Sequence, residues 1–278
     1  MLSNFLISLL IPSRGRPGRL EDFLDSVYAT TKKPNNIEII IVLDDDDESK
    51  YVKRNIEGLH CKFLVTKKGK SMGELNRLCL ISAKGTTVFF SNDDVIFKTF
   101  GWDELLLNKI HSLKKNNFLI YPNDHYKRKK LSTFPIMNRK FVLTYLELLP
   151  TIYKGSFMDL HIMDVFKAYD KGSHIYYMDN IVCEHRHYRL YPEFLDKTYK
   201  RRDRFGDDET FIRCARQRLK LVSKMEGVSL KEHRNLRQDS ILYLLIGRAS
   251  FSWKLKLFFY MIFRKIYKVL IHYINTFF

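Results

Sequence analysis

Three groups of residues in this chain have the types and spacing for chemistry. The first is Asp44-Asp45-Asp46-Asp47-Glu48, directly after an apolar run; the second is Asn92-Asp93-Asp94, which Ser91 separates from another. The third joins Asp159, His161 and Asp164, around a helix start, to Glu184-His185-Arg186-His187, which follows an alternating segment. Crowded carboxylates are costly unless a cation or hydrogen-bond donors compensate them. Acidic residues ending core strands in so basic a chain point to a divalent metal, or to a base or ribose held by hydrogen bonds. Hard oxygen ligands favour Mg2+ or Mn2+. Asp46, Asp47 and Glu48 read better as a solvated loop, Asp94 better as a ligand. Two histidines flanking Arg186 at a strand end suit metal or phosphate contact, with His185 the ligand and His187 the structural member.

The elements that must position these groups alternate in type. Residues 6–11 form a short apolar run stopped by Pro12 and Gly15, and Leu20, Phe23, Leu24 and Val27 then recur at helical spacing. Residues 37–43 are almost wholly β-branched, as in a strand buried on both faces. Further strands are expected over 61–65, 86–90, 118–121 and 174–182, and helices over 72–83, 141–149 and 160–168. Strands alternating with helices imply crossover units and a mainly parallel sheet. Ligands of such a sheet bind at the carboxyl ends of its strands, where the first two acidic groups fall.

With 278 residues, the chain makes one large domain or a catalytic domain with an appendage, at about 150 residues per domain. Forty-five per cent hydrophobic and 28% charged residues exclude a disordered chain. Forty-eight Lys+Arg against 31 Asp+Glu give a net charge of +17, which suits nucleic acid, an anionic membrane or a phosphorylated substrate equally. No nucleic-acid-binding module pattern appears, and the acidic strand ends would repel a phosphate backbone, so nucleic acid is not expected as a partner. A sugar nucleotidyltransferase would open with a Gly-rich phosphate turn, where this chain has only Gly15 and Gly18 among Arg and Pro. A third alternative is a non-catalytic membrane-associated scaffold. Cys61, Cys79, Cys183 and Cys214 show no metal or redox spacing and read as buried thiols in a reducing, cytoplasmic setting. The apolar residues 5–11 lack a basic flank and read as a core strand, not a signal peptide.

The last stretch, residues 240–278, contains no acidic residue. Arg264, Lys265, Lys268 and His272 share one helical face, while Leu255, Phe258, Ile262, Ile266, Val269 and Tyr273 lie largely opposite. A basic face beside an aromatic one suits a helix lying on an anionic membrane, and its charges interrupt any spanning run. The alternative is a helix docked on the body or on a second subunit as a homodimer contact.

Residues 9–17 (LLIPSRGRP), then Ile39-Ile40-Ile41-Val42-Leu43-Asp44-Asp45, then Phe89-Phe90-Ser91-Asn92-Asp93-Asp94, resemble in order and spacing a GT-A glycosyltransferase of the family 2 type. Met158-Asp159, a helix, Gly172, a strand and Glu184-His185 look like the acceptor half of that fold, and the similarity spans roughly residues 5–200. Ser71-Met72-Gly73-Glu74-Leu75-Asn76 and Asp196-Lys197-Thr198-Tyr199 are similar to elements of a bacterial subgroup. The resemblance implies a GT-A domain over 1–215, with a nucleotide-binding half (1–97) and an acceptor half (98–215), followed by a helical, basic-aromatic extension over 216–278. It implies Pro12, Ser13 and Arg14 in the nucleotide pocket, Asp44 on a uracil-type base, and Asp45, Lys70 and Asn76 completing the donor set. Asp94 would hold Mn2+ or Mg2+ on the diphosphate together with His185, Asp93 would touch ribose or metal, and Asp159 would be the general base. The triplet begins with Asn92 where the family has Asp, and Met158 stands in place of the usual Glu, which leaves Asp164 as a second candidate base. The implied reaction is transfer from a UDP-sugar to a surface glycan or lipid-linked acceptor, with inversion, at the inner face of the cell membrane.

Overall fold

The computed structural model describes residues 6–51, 58–201, 207, 210, 211, 213–228, 255, 259, 262, 263 and 266. Its first half runs β1 (Ile7–Ser13), α1 (Pro17–Thr30), β2 (Ile37–Asp44), β3 (His60–Thr66), α2 (Met72–Ser82) and β4 (Thr87–Phe90). The second half runs β5 (Val95–Phe97), α3 (Trp102–Leu113), β6 (Leu119–Asn123), β7 (Ile136–Asn138), α4 (Arg139–Thr144), α5 (Met158–Ala168), β8 (Ile175–His185), α6 (Lys197–Arg201) and α7 (Ala215–Glu226). Eight strands form one sheet in the order β3-β2-β1-β4-β7-β6-β8-β5.

Every residue of β1, β2 and β4 is buried, which is why these segments read as unbroken apolar runs. They pair in parallel, Ile7 opposite both Ile37 and Thr87, so that their carboxyl ends open on one edge. One face of the sheet is packed by α1 and α3, with Phe23, Phe89, Phe97 and Trp102 as an aromatic cluster whose ring centroids lie 4.7–6.0 Å apart. The other face is packed by α2, α5 and α7 through Cys79, Leu80, Ile162, Phe166, Leu221 and Val222. At Gly73 a Cβ would sit 2.1 Å from the Pro150 carbonyl oxygen, so glycine lets α2 lie directly on that loop.

Helix starts follow local chemistry. Pro17 opens α1, where its missing N–H costs nothing. Ser71 and Glu74 close a capping box on α2, with the Glu74 N–H donating to Ser71 Oγ at 3.2 Å and the Ser71 N–H to Glu74 Oε2 at 2.8 Å.

The expected elements occur with small shifts at their ends, except over 141–149. There an Asn138-capped helix stops at Thr144, Tyr145 leaves helical geometry, and a single 3-10 turn covers Leu146–Leu148. Strands β5 and β7, three residues each, are too short for periodicity to mark. They belong to the three antiparallel pairings of the second half, β4–β7, β6–β7 and β5–β8. Helix α7 packs on α5 and gives Leu221 and Val222 to the core, so the expected boundary at 215/216 falls at the start of a helix that belongs to the body. The amphipathic segment expected over 240–278 lies outside the described residues, apart from Leu255, Phe259, Ile262, Phe263 and Ile266, which are helical and exposed. No helix among the described residues is long and apolar enough to cross a membrane.

Candidate active site

The parallel strands deliver their carboxylates to one edge. Asp93 and Asp94 follow β4 and are almost wholly buried. Adjacent buried carboxylates repel one another, and the structure sets a guanidinium between them. Arg16 Nη1 donates to Asp93 Oδ1 at 3.1 Å and to Asp94 Oδ2 at 3.3 Å. The rest of that guanidinium is taken by Asp196, at 2.7 Å from Nε and 3.2 Å from Nη2, and its carbon lies 4.5 Å from the Tyr199 ring centroid. The Tyr199 hydroxyl donates to Asp94 Oδ2 at 2.5 Å, and the Ser13 hydroxyl to Asp93 Oδ2 at 2.6 Å. Burial opposes the charge on both carboxylates. At Asp94 it is outweighed by His185, Arg16 and the Tyr199 hydroxyl, which hold its pKa far below the usual range. At Asp93 burial and the neighbouring Asp94 prevail over Arg16 and push the pKa up.

Beside this pair lies the acidic loop after β2. Arg14 donates to Asp44 and, through both terminal nitrogens, to Asp46 at 2.7 and 3.0 Å; it holds the Asp46 carboxyl down at about 2. Asp45 is exposed and accepts the Lys68 N–H at 3.2 Å. Asp47, expected in a solvated loop, is instead buried and accepts the Gly15 N–H and the Lys50 ammonium. The run is thus folded back onto the Arg14–Arg16 turn. Pro12 is buried within β1, in register with Val42.

A cavity of about 370 Å³ opens next to Asp94. Its wall includes Asn76 and Met72 from α2, Asp159 from the first turn of α5, His185 at the end of β8, His187 just after it, and Tyr199 from α6. The Asn76 amide donates to the Met72 carbonyl at 2.9 Å, while its buried Oδ1 has no hydrogen-bond partner among the described residues. Asp159 is presented by an unusual turn: Phe157, directly before α5, has φ 68°, a left-handed conformation that is strained for an aromatic residue. The turn is held by Asp207, whose buried carboxylate accepts the N–H groups of Lys154, Gly155 and Ser156 at 2.8, 3.0 and 2.8 Å.

Of the expected site residues, Asn76, Asp94, Asp159 and His185 line this cavity, whereas Pro12, Ser13, Arg14, Asp44, Asp45, Lys70, Asp93 and Asp164 do not. Asp164, further along α5, accepts from Arg218 Nε at 2.7 Å and is not part of the cavity wall. Lys70 precedes the Ser71 cap and is likewise not part of it. His161 is structural. Its Nδ1 lies 3.2 Å from the Tyr153 hydroxyl and its Nε2 3.1 Å from the Glu147 carbonyl, and burial, with Arg218 nearby, lowers its pKa to about 3.

The donor set suits a divalent cation held by few protein ligands. Among the described residues Asp94 Oδ1, buried and 3.5 Å from His185 Nε2, has no hydrogen-bond partner, and neither has His185 Nδ1. No cluster of three or more His, Cys, Asp or Glu side chains that could hold a metal occurs among the described residues. A cation here would have to complete its shell with substrate oxygens and water, as Mg2+ and Mn2+ readily do.

Sequence reasoning did not assign Arg16, Asp196, Tyr199 or Asp207. Arg16 sits in the quoted Pro-Ser-Arg-Gly-Arg segment, but only the folded turn separates its role from that of Arg14. Asp207 signals nothing until its loop partners are known.

Fold and strand-end carboxylates together define a GT-A glycosyltransferase. Residues 8–153, more than half of the chain, match the model for "Glycosyl transferase family 2", and the protein belongs to that family. No curated protein sequence matches the chain. Among solved structures, TarS residues 1–349 from S. aureus in complex with UDP-GlcNAc is 14% identical, with a TM-score of 0.56 over 91% of this chain and 70% of that one. The mannosyltransferase PcManGT from Pyrobaculum calidifontis, in complex with GDP-Man and Mn2+, is also 14% identical, with a TM-score of 0.51 over 92% of this chain and 73% of that one. At such identities the likeness is one of fold.

Replacing Arg16 by Met strands two buried carboxylates, and breaking a buried pair in this way costs about 3–5 kcal/mol. Carboxylates whose folded pKa is raised bind more protons in the folded state than in the unfolded one, so stability falls as pH rises above the ordinary carboxylate range. The deficit of Arg16→Met relative to the parent is therefore expected to be larger at pH 8 than at pH 5 in urea titrations. A deficit independent of pH would contradict this.

Proposed function

We propose that this glycosyltransferase takes its sugar from a nucleotide-sugar donor, a UDP-sugar, and passes it to a hydroxyl of a glycan or lipid-linked acceptor with inversion. The observation that carries this reading is Asp94 Oδ1, which has no hydrogen-bond partner among the described residues and lies 3.5 Å from His185 Nε2, on the wall of the same cavity that Asp159 lines. Leaving-group site and base would thus face one another across a space large enough for a sugar. The UDP-GlcNAc and GDP-Man complexes of the two similar structures support a nucleotide-sugar donor. For the base to be uracil, Asp44 would accept its imide N–H after exchanging its bond to Arg14, which would then be free for a phosphate. Pro12, Ser13, Asp45, Lys70, Asn76 and Asp93 would complete the donor's surroundings. Asp94 and His185 would hold Mn2+ or Mg2+, whose Lewis acidity supplies charge stabilisation for a departing diphosphate.

In the transfer, the acceptor oxygen forms a bond to the anomeric carbon as the bond from that carbon to the phosphate oxygen breaks. The hydroxyl proton passes to Asp159, and the nucleoside diphosphate leaves with the bonding electrons. One carboxylate at hydrogen-bond reach is enough for this work. Asp207 and the Phe157 turn fix where Asp159 stands. The basic-aromatic residues 240–278 support a peripheral position on the cytoplasmic face of an anionic membrane.

Asp159→Asn is expected to lower turnover by about 100-fold or more while thermal stabilisation by the donor persists; unchanged turnover would remove Asp159 from the role. Stabilisation by a UDP-sugar at a hundredfold excess over Kd should reach about 2.7 kcal/mol, and its enhancement by Mn2+ should vanish in Asp94→Ala. Retained enhancement would place the cation elsewhere. Removing residues 240–278 should release the protein from anionic vesicles in a sedimentation assay, and unchanged sedimentation would sink the membrane assignment.

A further inference from the structure

Two sets of cations near the cavity are held in different ways. Around the strand-end carboxylates the guanidinium groups are engaged: Arg14 by Asp44 and Asp46, Arg16 by Asp93, Asp94 and Asp196, Arg19 by Asp196, and Arg186 by Asp22. The loop between β6 and β7 differs. Lys127, Arg128, Lys129 and Lys130, with Arg189 after β8, have no carboxylate of the described residues within the 4.0 Å of an ion pair.

This loop is built rather than slack. Asp124, buried at its base, spends its carboxylate on the backbone: Oδ1 accepts the N–H groups of Tyr126, Lys127 and Arg128 at 3.1, 2.7 and 2.6 Å, and Oδ2 accepts the Thr133 hydroxyl at 2.8 Å. The Tyr121 hydroxyl donates to the Lys129 carbonyl at 3.0 Å. Tyr126 then acts as a bracket for two cations. Lys127 Nζ lies 4.2 Å from its ring centroid, and Arg189 Nη1 lies 3.4 Å from its hydroxyl. The ring itself stacks on His187, with centroids 4.9 Å apart and planes 14° apart. Lys127, Arg189 and His187 line the cavity that holds Asp94 and Asp159. Fixing like charges around one ring, with the Asp124 carboxylate turned to the backbone and Thr133, costs stability unless a ligand uses them.

We propose that Lys127 and Arg189 form an acceptor subsite for fixed negative charge, so that the acceptor is an anionic polysaccharide carrying phosphate or carboxylate groups near the hydroxyl to be glycosylated. Arg128, Lys129 and Lys130 take the neighbouring charges along the polymer. This rests on the glycosyltransferase reading above and adds the chemical class of the acceptor. On that reading the donor diphosphate is served at the strand ends, whereas Lys127 comes from the β6–β7 loop and Arg189 from the segment after β8.

The test is fluorescence anisotropy of labelled dextran, dextran phosphate, hyaluronan oligosaccharides and a charge-matched RNA oligonucleotide, titrated with the full chain at about 0.1 M salt, where the screening length is about 10 Å. At least one anionic polysaccharide should bind about tenfold or more tightly than neutral dextran. The double variant Lys127→Ala/Arg189→Ala should lose about tenfold of that affinity, while Lys127→Arg retains it. A control pair, Lys62→Ala/Lys84→Ala, removes the same charge from exposed positions outside the cavity wall and should lose less than about twofold. Preference for dextran phosphate assigns phosphate as the recognised group, and preference for hyaluronan assigns carboxylate. Equal losses in the two double variants, or tighter binding of RNA, would overturn the proposal. Thermal stabilisation by UDP-sugars is read in parallel. Its loss in Lys127→Ala/Arg189→Ala would move these cations to the donor and overturn the acceptor subsite. Its absence in the parent chain would instead count against the UDP-donor reading, with the polymer site standing on its own result.

Discussion

Two carboxylates that follow one another in sequence, and that the sheet buries together, impose the condition around which the remaining site is arranged. At an effective dielectric of about 20, two unit charges 4 Å apart interact by about 4 kcal/mol. Asp93 and Asp94 cannot both stay ionised there without a cation. Arg16 supplies it from 77 and 78 residues away, and Asp196, 180 residues from Arg16, fixes the guanidinium in turn. The turn after β1, the end of β4 and the approach to α6 are thereby bound into one electrostatic unit. Tyr199 completes it by donating to Asp94 Oδ2, leaving Oδ1 as the oxygen that faces His185. A carboxylate with one oxygen committed and one reserved is a more defined ligand than a free side chain, because its orientation no longer has to be selected on binding.

The sheet explains why these parts meet. Parallel pairing of β1, β2 and β4 aligns their carboxyl ends, so Ser13, Asp44 and Asp93 converge although they lie far apart in sequence. The antiparallel second half does a different job. β5 pairs with the end of β8, setting Val95 opposite His185, and the Arg186 N–H donates to the Asp94 carbonyl at 2.8 Å. His185 is therefore placed beside Asp94 by backbone pairing, independently of any ligand. The base candidate is positioned by yet another device, three N–H groups gathered on Asp207 ahead of the Phe157 turn. A strained residue survives there because the clamp on one side and Phe211, with ring centroids 5.5 Å away, on the other over-determine it.

Much of this was legible in the sequence, and the reasons differ from residue to residue. The runs at 37–43 and 86–90 announced buried parallel strands, because a strand covered on both faces has no polar side to show. Asp44, Asp93 and Asp94 were legible for the complementary reason that charge directly after such a run must be compensated. His185 was marked by the two histidines flanking Arg186 at a strand end, whereas the role of Asp159 needed the family resemblance, since a lone Asp at a helix start carries no signal of its own. Arg16 was visible but unassignable: Arg14 and Arg16 are both basic residues after the same strand, and only the fold sends one to the Asp44 loop and the other to Asp93 and Asp94. Asp164 showed the converse. Five residues from Asp159 on the same helix, it is turned to Arg218, a partner that the spacing could not reveal. Residues 46–48 misled in part, because a run of acids looks solvated whereas Asp47 is buried against Gly15 and Lys50.

The net charge of +17 acquires a structural meaning from the way charge is apportioned. On the donor side nearly every charge has a partner, and that partner is what holds the site together; such pairs set geometry while contributing little long-range field. The 124–133 loop is arranged in the opposite way. Its carboxylate is taken by backbone N–H groups and the Thr133 hydroxyl, and its cations have no ion-pair partner among the described residues. Paired charges specify where atoms stand, and unpaired ones act over a screening length of about 10 Å, so the first arrangement suits a reacting centre and the second suits capture of a long anionic chain. Asp94 from the first arrangement and Lys127 from the second line one cavity. If the acceptor is an anionic polymer as proposed, the loop would steer it in so that its hydroxyl passes His187 to Asp159, residues of the same cavity wall.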